Sequence, residues 1–380
     1  MIDSMLKAGS HPSLSSNNLK ASAQATTAAS VIIQNYVGTI LSQPDLSLPD
    51  VLPNLPAHQK TAREHATGWR DTVQPKMIST NTDIVSFSNA FDSYFTPLLA
   101  LAVKIQQNPS DSASINTFKT GIQQLQALVT AKQNATTAVI TSVSGFQTDL
   151  AGDARNFNTD FNTAQSVLAG KDGQIAALGK QIDAINSAMS KDLTMIAAGS
   201  TAAVVGGLMI AVGALAEIAT AGVSTALIVG GLVVVGAGAG VAIAGGVDYA
   251  KQTSALGDAI SKKTTLQQQY AATKQVNSIV QGLSDQSSAA VKAAGALLAG
   301  WQTLGQDFMQ FQTALNSSTP DLGFFLIAQL NAAKADWDDV AAQARKLLDY
   351  GTLTVSPSTV AHDGVLTINP TAAFARLAAA

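Results

Sequence analysis

LTMIAAGSTAAVVGGLMIAVGALAEIATAGVSTALIVGGLVVVGAGAGVAIAGGV, Leu193 to Val247, carries one charged side chain, Glu217, while Asp192 and Asp248 bracket it and charges are frequent on both sides. Two apolar arms flank that carboxylate, from about Thr194 to Ala216 and from about Ile218 to Val247. Each is long enough to cross a bilayer as a helix, which takes about 20 apolar residues. Between them EIATAGVST supplies Glu217, Thr220, Gly222, Ser224 and Thr225, the polar and flexible residues expected at a hairpin tip that reaches the far side. Gly206, Gly207, Gly213, Gly230, Gly231, Gly236, Gly238, Gly240, Gly245 and Gly246 give the small-residue spacing that lets apolar helices approach closely. The same glycines cost a helix in water about 1 kcal/mol each relative to alanine. The segment is therefore conformationally uncommitted in water.

The residues expected to enter lipid are Met195, Ile196, Val204, Val205, Leu208, Met209, Ile210, Val212 and Leu215 on the first arm. On the second they are Ile218, Leu227, Ile228, Val229, Leu232, Val233, Val234, Val235, Val241 and Ile243. Neither arm has the polar stripe of a helix packed on a globular core. A permanent two-span protein should show positively biased flanks. Here Lys191 with Asp192 and Asp248 with Lys251 balance, so conditional insertion fits better. VVVGAGAGVAIAGG superficially suggests a dinucleotide-binding turn, but the third fingerprint position is Val241 and no alternation of strands and helices surrounds it.

Outside this segment the pattern is helical and long. Ile115, Phe118, Ile122, Leu125 and Val129, then Val139, Val143, Phe146 and Leu150, then Ile175, Leu178, Ile182, Ile185 and Met189, and later Trp301, Leu304, Phe308, Phe311 and Leu315, step by three and four. These are heptad seams. No proline falls between Ser112 and Lys191 or between Asp248 and Thr319, so two long helices are expected to lead into and out of the apolar hairpin. Before them the sequence predicts a helix over about Ser15 to Ser42, a proline-rich loop over Gln43 to Pro56, a helix from about Ala57 to Gln107 and a capped turn at Asn108 to Ser114. After them come a turn at Ser317 to Asp321, a helix over Leu322 to Tyr350 and a tail with a candidate β-hairpin around His362. The fold class expected is mainly all-α: long helices over residues 1–190 and 248–350 that make a rod, an apolar end at 191–247 and a C-terminal extension at 351–380.

The composition explains why the segment stands out. Over 380 residues the AVILMFWYC set makes up 47%, yet aromatics are 5% and charged residues 12%, against about 25% charged in a typical domain. Mean hydropathy is +0.20, high for a soluble chain. A net charge of −3 provides no basic field for nucleic acid. The absence of cysteine excludes disulfides, thiol catalysis and Cys-ligated zinc. His58 and His65 lie one heptad apart, about 10 Å, too far to chelate one metal alone, and read as solvated or capping residues. Asp336, Asp338 and Asp339, and Lys60, Arg63 and Glu64, read as solvated helix faces. No nucleophile motif or phosphate loop is present, so neither an enzyme, a cofactor nor a small-molecule substrate is expected. MIDSMLKAGSHPSLSSNN lacks the apolar core of a secretory signal, so release by another route is expected. On these residues three readings stand: a protein that inserts conditionally into membranes, a non-lytic coiled-coil structural or delivery protein with an apolar docking tip, or a cytoplasmic interaction scaffold.

HQKTAREHATGWRDTVQPK (His58 to Lys76) and STNTDIVSFSNAFDSYFTPLLALA (Ser79 to Ala102) resemble the second long helix of haemolysin BL and non-haemolytic enterotoxin components, with Trp69, Pro75, Phe87, Phe91, Tyr94 and Phe95 in the family's order. QLNAAKADWDDVAAQARKLLDY (Gln329 to Tyr350) resembles the closing helix, with Trp337 packing into the tail. The resemblance implies the cytolysin A-type α-helical pore-forming toxin fold: an elongated long-helix bundle tail (residues 1–190 and 248–350), with the extension 351–380 packed on it, and a head carrying a hydrophobic tongue (191–247) that folds against the head in the soluble form, often as a β-hairpin with short helices. It also implies rearrangement on a target membrane and assembly with copies of itself and with one or two homologous components. This chain would be the membrane-spanning subunit.

Overall fold

The structure, a computed structural model, describes Leu14, residues 17–42, Asp45, residues 52–169, Lys180, residues 208–211, 214–220, 223–229 and 233–236, and residues 265–316 and 321–351. Six α-helices are described: α1 (Asn17–Ser42), α2 (Leu55–Gly68), α3 (Gln74–Gln107), α4 (Ser112–Ala169), α5 (Thr265–Ala314) and α6 (Leu322–Gly351). Four strands lie between α4 and α5: β1 (Leu208–Ala211), β2 (Ala214–Thr220), β3 (Val223–Val229) and β4 (Val233–Gly236). The mainly helical, long-helix fold expected from the heptad seams is what forms. The tail beyond Gly351, with its expected hairpin, and the seam from Ile175 to Met189 lie outside the described residues.

One expected helix is broken. Residues 57–107 were expected to run continuously, but a π-helical turn, Trp69–Val73, separates α2 from α3. Pro75 stands in the first turn of α3. It has no N–H to donate and its ring crowds the carbonyl four residues back, that of Asp71, so the regular ladder gives way there. The turn between α3 and α4 is capped as its sequence suggests. Asp111 Oδ1 accepts from the backbone N–H of Ala113 (3.1 Å) and Ser114 (3.2 Å), and Asp111 Oδ2 accepts from Ser114 Oγ at 2.6 Å.

The chain forms two compact units. The first comprises residues 1–30, 72–145 and 288–353. Its core is built from the seams: Ile115, Phe118, Ile122, Leu125 and Val129 of α4 and Trp301, Leu304, Phe308 and Phe311 of α5 are all buried. Phe87 sits at its aromatic centre, with ring centroids 4.6 Å from Trp337 and 5.6 Å from Trp301. Trp337 donates its indole N–H to the Leu14 carbonyl at 2.9 Å, and its own carbonyl accepts from Ser88 Oγ at 3.2 Å. At the start of α6, Gly323 lies against the backbone of Gln106, an approach that a side chain would block.

The second unit comprises residues 31–71, 146–287 and 354–380. Its described core includes Ile33, Val37 and Ile40 of α1, Leu55, Ala62 and Ala66 of α2, Leu150, Ala154 and Phe157 of α4 and Val280 of α5. Trp69 is fully buried with its ring 4.8 Å from Phe146. The strands belong to this unit.

Candidate membrane-active segment

The apolar segment is organised as two nested antiparallel strand pairs. In the inner pair Ala214, Leu215, Ala216, Glu217, Ile218, Ala219 and Thr220 of β2 register with Val229, Ile228, Leu227, Ala226, Thr225, Ser224 and Val223 of β3. In the outer pair Leu208, Met209, Ile210 and Ala211 of β1 register with Gly236, Val235, Val234 and Val233 of β4. Strand formation is consistent with the local sequence: β-branched Val and Ile prefer extended backbone, and the dense glycines oppose helix in water.

The register sorts the segment by polarity along its length. Glu217, Ile218, Ala219 and Thr220 occupy four consecutive rows with Ala226, Thr225, Ser224 and Val223. Those rows hold all the polar residues of the four strands, and every row behind them is apolar or glycine. The tip residues Glu217, Thr220 and Ser224 are thus brought together at the closed end of the inner pair. Leu208, Met209, Ile210, Leu215, Ile218, Leu227, Ile228, Val229, Val233, Val234 and Val235 lie in the strands. Met195, Ile196, Val204, Val205, Val212, Gly222, Leu232, Val241 and Ile243 lie outside the described residues. Among the described residues no helix is long and apolar enough to cross a membrane.

The histidines correct their sequence reading. His58 and His65 are partnered: His58 Nδ1 lies 2.6 Å from Asp160 Oδ2 and His65 Nδ1 lies 2.8 Å from Asp153 Oδ2. Both carboxylates are buried. Burial pushes the Asp153 carboxyl above the ordinary carboxylate range, assisted by the negative charge of Asp149 and opposed by its hydrogen bond to His65 and by the positive charge of His65 and His58. A readable signal existed. Leu150, Asp153, Phe157, Asp160 and Ala164 step by three and four, so two carboxylates occupy seam positions on an otherwise apolar face. Among the described residues no group of three or more histidine and acidic side chains could hold a metal. The charged faces behave as read: Lys334 pairs with exposed Asp338 at 2.5 Å and Lys20 with exposed Asp339 at 2.6 Å.

Comparison with known proteins agrees with the fold. The sequence model for Bacillus haemolytic enterotoxin (HBL) matches residues 13–192. The Bacillus cereus HblL1 toxin component is similar in structure, with a TM-score of 0.70 and 20% identity over 92% of this chain and 99% of that one. Soluble SmhA of the tripartite alpha-pore forming toxin Smh from Serratia marcescens has a TM-score of 0.75 and 16% identity, covering 91% of this chain and 98% of its own. Soluble SmhB of the same toxin has a TM-score of 0.69 and 20% identity, over 96% and 98% of the two chains. In its pore structure the SmhB score is 0.54, at 16% identity over 86% and 97%. Residues 13–192 are thus similar to the Bacillus haemolytic enterotoxin family, and the chain carries the helical fold seen in components of tripartite α-pore-forming toxins.

Proposed function

We propose that this chain is a component of a multi-component α-helical pore-forming toxin, soluble at first, whose 191–247 segment inserts into a target membrane while copies of the chain assemble there with one or two homologous components. The observation that carries the reading is one apolar hairpin with a single charged residue, set in a chain whose fold is closer to soluble SmhB than to the SmhB pore.

Two physical arguments support a switch. Burying apolar surface is worth about 25 cal/mol per Å² whether protein or lipid covers it, so a bilayer offers a competing burial site. A two-stranded hairpin has open edges, however, and lipid cannot satisfy their N–H and C=O groups. Entry into lipid therefore requires refolding, and each arm has the length for one helical span. Glu217 is the costly residue, at about 2.5–3.5 kcal/mol if held at the bilayer centre. Its place in the polar end rows lets it lead across to the far interface. Both arms are apolar all round, so this subunit would anchor and span while a partner with an amphipathic tongue lines the lumen. Release from the producing cell precedes action at the target membrane.

Dye release from liposomes tests the reading, with the purified chain alone and together with the products of neighbouring genes. Leakage in at least one combination is expected. A folded chain that releases no dye in any combination would overturn the reading and favour a docking protein.

A further inference from the structure

The second unit contains a pair of polar contacts that the proposed function does not use. His58–Asp160 and His65–Asp153 link α2 to α4. The pairs run antiparallel with seven residues between them on each helix, two turns or about 10 Å. The carboxylates are buried, with side chains 7% and 1% exposed, whereas the imidazoles keep 24% and 29% of their surface. A proton can therefore reach each imidazole from water while its partner stays inside.

We propose that the two His–Asp pairs form a proton-loaded clasp, which grips α2 against α4 most firmly in mild acid and loosens as protons leave toward alkaline pH. The chemistry is that of any buried carboxylate beside an imidazole. With the imidazole neutral, the pair is a buried net negative charge held by one N–H donor, and a buried charge is costly unless compensated. Adding a proton makes the pair electrically neutral, either as an ion pair or as a carboxylic acid beside a neutral ring. Imidazole is the side chain whose ordinary titration falls between about pH 5 and 8.

The elements packed around the clasp carry charges of both signs. On α2, Lys60 and Glu64 are exposed and pair with each other, and Arg63 reaches Asp45 at 2.5 Å. On α4, Asp149 lies one turn from Asp153 and adds negative charge, and Arg155 is exposed. On α5, Lys274 is buried with Nζ 5.2 Å from the Phe161 ring centroid, and Asp285 is exposed. Residues 31–42 of α1 carry no charge. The raised pKa of Asp153 has the same direction: a carboxyl that ionises less readily when folded costs nothing below its unfolded pKa, its cost grows as pH rises from there to the folded value, and it stays constant above that.

The test uses the full chain and does not depend on pore formation. Urea midpoints of the unsubstituted protein and of Asp153→Asn are compared from pH 5 to pH 8. The variant keeps an acceptor for His65 without the buried charge, so its midpoint should gain on the unsubstituted protein as pH rises. A difference that stays constant across that range would overturn the proposal. Amide exchange in residues 55–68 of the unsubstituted protein, corrected for intrinsic rates, supplies a second readout. Greater protection at pH 5.5 than at pH 8 is expected, and equal protection would overturn the clasp.

Discussion

Replacing Gly323 by alanine would place a Cβ 2.5 Å from the Cβ of Gln106 and nearer still to its backbone, where ordinary contact begins near 3.4 Å. The obstacle is the main chain of α3, which cannot rotate away, so the start of α6 must recede by about 1 Å. A radial gap of that size forfeits roughly a quarter to a half of each contact's attraction, and a buried leucine makes about 40–60 contacts of about 0.1–0.2 kcal/mol. Leu322, fully buried beside Gly323, stands to lose them. The expected loss is about 3 kcal/mol, reduced by up to about 1 kcal/mol through alanine's better helix propensity. Urea unfolding followed by circular dichroism measures it, with Gly295→Ala as the counterpart. A Cβ at Gly295 meets nothing within 4 Å, so that variant should gain about 0.5–1 kcal/mol. If Gly323→Ala were as stable as the unsubstituted chain, the close α3–α6 packing described for the first unit would be wrong.

Three further outcomes are expected. Trp337→Phe removes the donor to the Leu14 carbonyl while keeping an aromatic ring, and should lower the first unit's stability by about 2 kcal/mol in chemical denaturation. Asp111 has its pKa held below the ordinary range, chiefly by the hydrogen bond from Ser114 Oγ. Its stabilising effect is present above the unfolded pKa and fades as pH falls through the lower folded value, so Asp111→Ala should lower the thermal midpoint at pH 7 and converge with the unsubstituted chain in strong acid. Gly213→Asp and Val234→Asp should each abolish dye release while leaving the far-ultraviolet circular dichroism spectrum unchanged; full lysis by either would remove the tongue assignment.

The long-range helical pattern was legible because burial repeats every three or four residues. The seam residues Ile115, Phe118, Ile122, Leu125 and Val129, and Trp301, Leu304, Phe308, Phe311 and Leu315, follow that spacing, and all are buried. Glu217 interrupts a long apolar run, so the sequence marks it out, and it falls in the polar rows of the β2–β3 pair. What escaped were features that depend on partners distant in sequence. Asp153 and Asp160 are 88 and 102 residues from their histidines, so the spacing of His58 and His65 could suggest a shared helix face but not what faced it. The π-turn at Trp69–Val73 is not legible in the periodicity, because Pro75 sits in an otherwise continuous helical pattern and a proline there marks a boundary only through its local geometry. The strands of the apolar segment sit where helix and strand readings compete: a run of Val, Ile, Ala and Gly satisfies extended pairing in water and helical spans in lipid, and periodicity alone does not separate them.

The absence of native cysteine offers the most direct test of tongue insertion. A single Val234→Cys substitution, labelled with an environment-sensitive fluorophore, reports whether this position enters lipid during lysis. On adding liposomes under conditions that release dye, the label's emission should shift to the blue and become accessible to quenchers placed in the acyl chains. Dye release with the label's emission unchanged and unquenched by lipid would contradict the account.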